Sequence, residues 1–298
     1  MNKIYDNFNE EITDSSIVVL CVIRDEEYLI DTFMQHYISL GVTHFFFVDN
    51  GSIDSSIVKI REYKNNNVII IKTTQEYSKN LYGVNWIRNI LNKYLQNKQC
   101  ITVDIDELII LPPEIHDLNQ LFSLMKDNDC NLCPTMLLDV YKSESNNLYY
   151  DSMCTNIHKT INENIDTYII CGGLRERLSP KTNDKDRVCL SKQSIFIYDF
   201  CGYYTPSVGY HTLIARNKNN SYMIKPYIYI LLLHLKFLRP NFIDFIKLRI
   251  ERNQDWKNSI EYKDLLSSIS NHSLYDQHIS KPFTPESAYK DYYKMIYE

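Results

Sequence analysis

The stretch Cys100–Leu111, CITVDIDELIIL, sets two aspartates, Asp104 and Asp106, one residue apart inside an otherwise apolar run. On an extended backbone successive side chains point to opposite faces, so the two carboxylates share a face and Glu107 turns away from Asp106. Two carboxylates at the end of a buried strand repel each other and are costly to desolvate unless a cation lies between them. Carboxylates combined with water and phosphate oxygens suit a hard divalent ion, Mn²⁺ or Mg²⁺. A solvated acidic turn is the plain alternative, and the apolar flanks on both sides argue against it.

Other residues carry chemistry in a looser pattern. Arg175 and Arg177 alternate, which on an extended segment gives them one face. Guanidinium forks suit phosphate or carboxylate, on a donor or on an anionic acceptor, with a surface salt-bridge ladder as the alternative. Lys192 is a further phosphate candidate. His234 lies inside the apolar run Ile230–Phe237, where a buried imidazole needs a partner for its ring nitrogens, and a metal satisfies one of them. Lys236 falls on the same face by alternation and reaches for phosphate. Cys130 and Cys133 form a C-x-x-C without the second pair that a tetrahedral zinc site needs.

The elements that must position these groups read as alternating strand and helix. Residues 16–23 are a continuous apolar run, as in a strand buried on both faces. Asp25, Glu26 and Glu27 follow, in what reads as the first turn of a helix with Ile30, Phe33, Met34, Tyr37 and Ile38 on one side. Residues 44–48 form a second strand ending at Asp49-Asn50-Gly51-Ser52. That turn leads to Asp54 and a helix over 54–63, and 67–71 is a third strand. A helix carrying Trp86, Ile87, Ile90 and Leu91 then precedes the acidic cluster. Alternation of this kind implies an α/β fold with a mostly parallel sheet flanked by helices, whose ligands bind beyond the carboxyl ends of the strands. Asp25, Asp49, Asp54, Asp104 and Asp106 all fall there. Asn-Gly is itself a turn dipeptide, so Asp49 has a turn-forming reading beside a ligand-binding one. Beyond residue 137 the pattern is irregular, and beyond Pro240 it is helical, with Phe242, Phe245, Ile246 and Arg249 on one stripe.

Composition narrows the classes. The 298 residues are 44% hydrophobic and 23% charged with a net charge of −5, so no global basic field points to nucleic acid. Neither G-x-G-x-x-G nor a P-loop is present, and G-x-S-x-G is missing too. Eight irregularly spaced cysteines suit reduced thiols. The N-terminus lacks an apolar signal core and the longest apolar segment is too short to span a bilayer. A cytoplasmic protein is expected. The basic side of the C-terminal helix raises a second reading, peripheral contact with the inner membrane.

R-D-E-E after the first strand, L-G-V-T-H-F-F-F-V-D-N-G-S-I-D and V-D-I-D-E-L together resemble the family-2-like glycosyltransferases. The resemblance continues through Gly172-Gly173-Leu174-Arg175-Glu176-Arg177, Leu190-Ser191-Lys192, Gly209-Tyr210-His211 and Leu232-Leu233-His234-Leu235-Lys236-Phe237, close to the whole chain. Arg24-Asp25-Glu26 departs from the usual Lys-Asn-Glu. The resemblance implies the GT-A fold, Rossmann-like, with a glycosyltransferase domain over 1–238 and a C-terminal helical tail over 239–298. The donor half covers about 16–136 and the acceptor half about 137–238. It implies transfer of a sugar from a nucleotide-sugar donor, UDP- or GDP-type, to a glycan or lipid-linked acceptor in bacterial surface polysaccharide assembly. Catalysis would fall to Asp106, Arg175, Arg177 and Lys192. Donor binding would fall to Asp25, Asp49, Asp54, Asp104, Lys236 and His211, and metal binding to Asp104, Asp106 and His234, with His211 the rival for the last place. A nucleotidyltransferase and a non-catalytic nucleotide- or glycan-binding protein of the same fold are the alternatives.

Overall fold

The computed structural model describes residues 2–143, 146–151, 157–162, 165–170, 172–178, 188–199, 203–204, 214–215, 230–252, 256–269 and 273–297. The chain divides into two units. The first comprises 1–111, 115–135 and 192–230, and the second 112–114, 136–191 and 231–298. Residues 192–230 thus share a unit with the strands of the first hundred residues, and 239–298 share one with 136–191.

The first unit carries the alternating elements: β1 (Asn2–Asp6), β2 (Ile17–Ile23), α1 (Ile30–Ser39), β3 (His44–Asp49), α2 (Ser56–Glu62), β4 (Asn67–Lys72), α3 (Val84–Tyr94) and β5 (Gln99–Thr102). β2 pairs in parallel with β3, from Val18 opposite His44 to Ile23 opposite Asp49. It pairs in parallel with β5 along its other edge, from Ile17 opposite Gln99 to Leu20 opposite Thr102. β4 continues the parallel set beyond β3, and β1 closes that side antiparallel to β4. The strand Ser191–Ile197 lies antiparallel to β5, with Ile195 opposite Ile101. This is the expected α/β architecture, a mostly parallel sheet flanked by helices.

Alternation along the strands sorts the core. Val18, Leu20, Phe46, Val48, Ile69 and Ile71 face one side, against Trp86, Ile87, Ile90 and Leu91 of α3. Their neighbours serve the opposite face, where Phe33 of α1 meets Phe47 with ring centroids 6.0 Å apart. The apolar runs of β2 and β3 are buried almost throughout because helices cover both faces.

The chain moves from β2 outward through β3 to β4, then returns to add β5 on the other side of β2. The order of strands therefore reverses between β2 and β5. Loops leaving those two strands diverge there, which in open α/β sheets is where ligands bind.

In the second unit the helix Gly173–Leu178 and the C-terminal helices Phe242–Arg252 and Trp256–Ile269 enclose a separate core of Tyr141, Leu174, Leu178, Phe237, Ile246, Tyr262 and Leu265. The helix Pro285–Tyr297 ends the chain's described part. Among the described residues no helix is long and apolar enough to cross a membrane.

Candidate functional site

Two loops beyond the carboxyl ends of β2 and β3 are fastened together by side-chain-to-backbone hydrogen bonds. The Asp25 N–H donates to Ser52 Oγ at 3.0 Å, and Asp25 Oδ1 accepts the Ile53 N–H at 2.7 Å. The Glu27 N–H donates to Asp54 Oδ2 and the Ser55 N–H to Glu27 Oε2, both at 2.9 Å. Glu26 joins through its N–H to Ser56 Oγ at 2.8 Å. Asp25 does not open a helix as expected. It adopts φ +57°, and α1 begins only at Ile30. An aspartate tolerates that left-handed turn because its short polar side chain bonds locally. The carboxylates of Asp25 and Asp54 thus help to hold the two loops in register.

Asp49 is different. It is fully buried at the end of β3, and its Oδ1 accepts the Ser52 N–H at 2.9 Å, closing the Asn-Gly turn. Its Oδ2 is buried and has no hydrogen-bond partner. A carboxylate oxygen left unsatisfied in this way costs stability and is an acceptor waiting for a donor.

The acid cluster is a turn, not a strand. β5 ends at Thr102, the Glu107 N–H donates to the Asp104 carbonyl at 3.0 Å, and a new strand runs over Glu107–Ile110. The strict alternation expected through Asp104 and Asp106 is therefore broken. Glu107, expected to turn away, is the buried anchor of the turn. Its Oε2 accepts the Asp104 N–H at 3.0 Å and its Oε1 lies 2.5 Å from Lys192 Nζ. Lys192 also reaches Asp104 Oδ2 at 3.1 Å. Burial works against the charge on Lys192, but the Asp104 and Glu107 carboxylates outweigh it and raise its pKa above that of an ordinary lysine. The neighbouring Cys21 thiol is pushed well up, first by burial and then by Asp104, Glu107 and Asp106. Lys192, expected to clamp phosphate, is bonded here to both carboxylates of the turn. With one oxygen on a backbone N–H and the other on an ammonium, Glu107 is held at both ends of its carboxylate.

Arg175, Arg177, His234 and Lys236 lie in the second unit, each with a carboxylate. Arg175 and Arg177 sit on a six-residue helix, not an extended segment, so they do not share a face. Arg175 Nε donates to Asp139 Oδ2 at 2.9 Å, and its Nη1 reaches Glu261 Oε1 at 3.4 Å. Arg177 grips Asp151 with Nε at 2.7 Å and Nη2 at 3.2 Å. His234 ends the strand Ile230–His234 with Nδ1 2.5 Å from Asp139 Oδ1. Lys236 lies past that strand, so alternation does not link it to His234. Its Nζ is 3.2 Å from Glu261 and 4.6 Å above the Tyr262 ring. Burial opposes the charge on Asp139, yet Arg175 and His234 hold its pKa far below the usual range. Glu261 is lowered to about 2, burial being outweighed by Lys236 and Arg175. Asp139 and Glu261 were not singled out in the sequence, although a lone acid inside the buried run Met136–Tyr141 is the mark of a buried ion pair. His211 lies outside the described residues.

Among the described residues no group of three or more His, Cys, Asp or Glu side chains could hold a metal by itself. The acid turn does fit a looser mode. Asp104 is 56% exposed, so a carboxylate stands at the rim, and Asp106 is half-buried two residues on. Magnesium-like ions often take one or two carboxylates and fill their shell with water and substrate phosphates.

Compared with protein-family models and with curated proteins, the chain matches none. Among solved structures it is similar to a 4-diphosphocytidyl-2C-methyl-D-erythritol synthase at 12% identity and a TM-score of 0.29, over 43% of this chain and 63% of that one. It is also similar to HddC from Yersinia pseudotuberculosis, at 11% identity and a TM-score of 0.33, over 60% of this chain and 74% of that one. A 4-diphosphocytidyl-2C-methyl-D-erythritol synthase from Anaerococcus prevotii scores 0.28 at 11% identity, over 62% of this chain and 72% of that one. The chain spans less than two thirds of the length of the first of these. Likeness of this size decides neither fold nor activity, and the architecture rests on the strand register above.

Proposed function

We infer that the chain is a glycosyltransferase that binds a nucleotide-sugar donor at the carboxyl edge of its parallel strands and passes the sugar to a glycan or lipid-linked glycan. The observation that carries this reading is the buried, unpartnered Oδ2 of Asp49, on the strand next to the point where strand order reverses. An acceptor there suits a ribose hydroxyl or a base N–H, and the zipped loops of Asp25–Glu27 and Ser52–Ser56 hold it in place. Across the reversal, the turn Asp104–Glu107 presents carboxylates, which would hold a divalent ion with the donor diphosphate. Such an ion, when bound, neutralises the negative charge that grows on the leaving diphosphate. Asp104 and Asp106 would hold it, and Glu107 with Lys192 fixes the turn that presents them. Assembly of a bacterial surface polysaccharide is the setting the sequence resemblance suggests.

The test is a panel of UDP- and GDP-sugars and nucleoside triphosphates with Mn²⁺ or Mg²⁺, scored by binding and by slow donor hydrolysis. Release of a nucleoside diphosphate from a nucleotide sugar supports the reading. Release of pyrophosphate from a triphosphate in the presence of a sugar phosphate replaces it with nucleotidyl transfer.

A further inference from the structure

The segment between β4 and α3 is fastened to the end of β3. The Thr73 N–H donates to the Asp49 carbonyl at 2.9 Å, and Asn50 Nδ2 donates to the Gln75 carbonyl at 2.9 Å. Gln75 Oε1 in turn accepts the Trp86 indole N–H at 2.8 Å, which joins the segment to α3. Just before α3 the backbone takes three left-handed residues in a row, Leu81 at φ +51°, Tyr82 at φ +55° and Gly83 at φ +86°. Glycine suits the last of these, and a Cβ there would come within 2.9 Å of Val22 Cγ2 on β2. Leucine and tyrosine do not suit the first two, since the left-handed conformation is disfavoured about fivefold to thirtyfold for each non-glycine residue. Leu81 is 41% exposed, so burial does little to offset that cost. The bonds that hold the turn are local: the Tyr82 N–H donates to the Tyr77 carbonyl at 3.0 Å and Asn80 Nδ2 to the Glu76 carbonyl at 2.8 Å. The Tyr77 and Tyr82 rings add an edge-to-face contact at 5.7 Å. One bonded stretch therefore carries two local costs, the strained turn and the unsatisfied Asp49 Oδ2. Strain of this kind gathers at ligand clamps.

We propose that the left-handed turn at Leu81 and Tyr82 gates the nucleotide site. With the turn formed, the segment holds the end of β3 ready for nucleotide. In a competing arrangement Leu81 and Tyr82 relax out of the left-handed region, the segment slackens its hold on Asp49 and Asn50, and nucleotide does not bind. A ligand that donates to Asp49 Oδ2 stabilises the strained arrangement and so selects it. The apparent affinity is then the intrinsic one reduced by the fraction of chains with the turn formed. The inference rests on the end of β3 being the nucleotide site, as proposed above. It adds that backbone strain at Leu81 sets how tightly that site binds.

The experiment is a calorimetric titration of the full chain with UDP and GDP in the presence of Mg²⁺. Wild type, Leu81→Gly and Leu81→Val are compared, each checked for folding by its melting temperature. Valine, branched at Cβ, tolerates the left-handed turn least, and nucleotide affinity should fall roughly tenfold. Glycine adopts the turn freely, so affinity should be kept or should rise by up to about fivefold. Loss of a side-chain contact predicts the reverse order, with glycine the more damaging change. The chain has two tryptophans, and in a Trp256→Phe background Trp86 reports on the segment through its bond to Gln75. Its emission should shift in Leu81→Val and return to the wild-type position at saturating nucleotide. If the valine variant does not fold, Leu81→Thr, also branched at Cβ, makes the same test. Wild-type affinity and emission in the β-branched variant, or weaker binding by Leu81→Gly than by wild type, overturns the gate and leaves the nucleotide site standing. Binding of neither nucleotide by any folded form overturns both.

Discussion

Replacing Asp49 separates a ligand-binding role from a turn-forming one, because the two roles move stability in opposite directions. Asp49→Ala removes the hydrogen bond from the Ser52 N–H to Oδ1, a loss of about 1 kcal/mol. It also removes the buried Oδ2 that has no partner, relieving about 1–3 kcal/mol of unmet solvation. The free protein should therefore be unchanged in stability or gain up to about 2 kcal/mol. Donor affinity should fall, since a hydrogen bond to a carboxylate in a buried pocket contributes about 1.5–3 kcal/mol, or roughly tenfold to a hundredfold in Kd. Because the contacts are to base or ribose and not to the reacting carbon, KM should rise with kcat little changed. Urea unfolding gives the first quantity, and calorimetric titration with UDP and GDP gives the second. A stability loss above about 1 kcal/mol together with unchanged nucleotide affinity would return Asp49 to a purely turn-forming part.

Asp106→Asn should abolish Mn²⁺-dependent donor turnover with the melting temperature preserved, since the side chain lies on the turn and not in the core; full activity in EDTA would contradict this. Asp139→Asn leaves the Arg175 guanidinium buried with Glu261 as its main counter-charge, and the urea midpoint should fall by the equivalent of about 3–5 kcal/mol. A loss below about 1 kcal/mol would mean that this network contributes little to the fold. Asp139 and Glu261 are held below their unfolded pKa values, so the stability they contribute is complete above about pH 4.5 and drains away as pH falls towards about 2. Glu261→Gln should flatten that acid limb in equilibrium unfolding, and a limb as steep as the wild type's would remove Glu261 from the account.

The parts legible in the sequence are those set by local burial. Residues of β2 and β3 announce themselves because strands covered on both faces are apolar at every position, and β4 and α3 lie close to where the pattern puts them. The carboxyl-end position of Asp25, Asp49 and Asp104 follows from that alternation alone. What local pattern misses is set by partners far away in the chain. Asp104 leaves the strand because Glu107 folds back on its N–H and Lys192, 88 positions on, draws both carboxylates together. Asp25 takes a left-handed turn because Ser52 and Ile53 meet it. Arg175 and Arg177 lie on a helix of six residues, too short for a 3.6-residue period to show, and their partners Asp139 and Asp151 stand in other elements.

In the second unit Asp139, Asp151 and Glu261 each meet a guanidinium or ammonium, although Arg175 Nη2 there is also buried without a hydrogen-bond partner. At the carboxyl edge of the first unit the Lys192 ammonium is shared by Asp104 and Glu107, and Asp49 buries an oxygen without a hydrogen-bond partner. An unsatisfied buried acceptor at the carboxyl end of a parallel strand is placed where a ligand can satisfy it. That buried oxygen, more than the D-x-D spacing that first marked the stretch, directs the search for the donor to the end of β3.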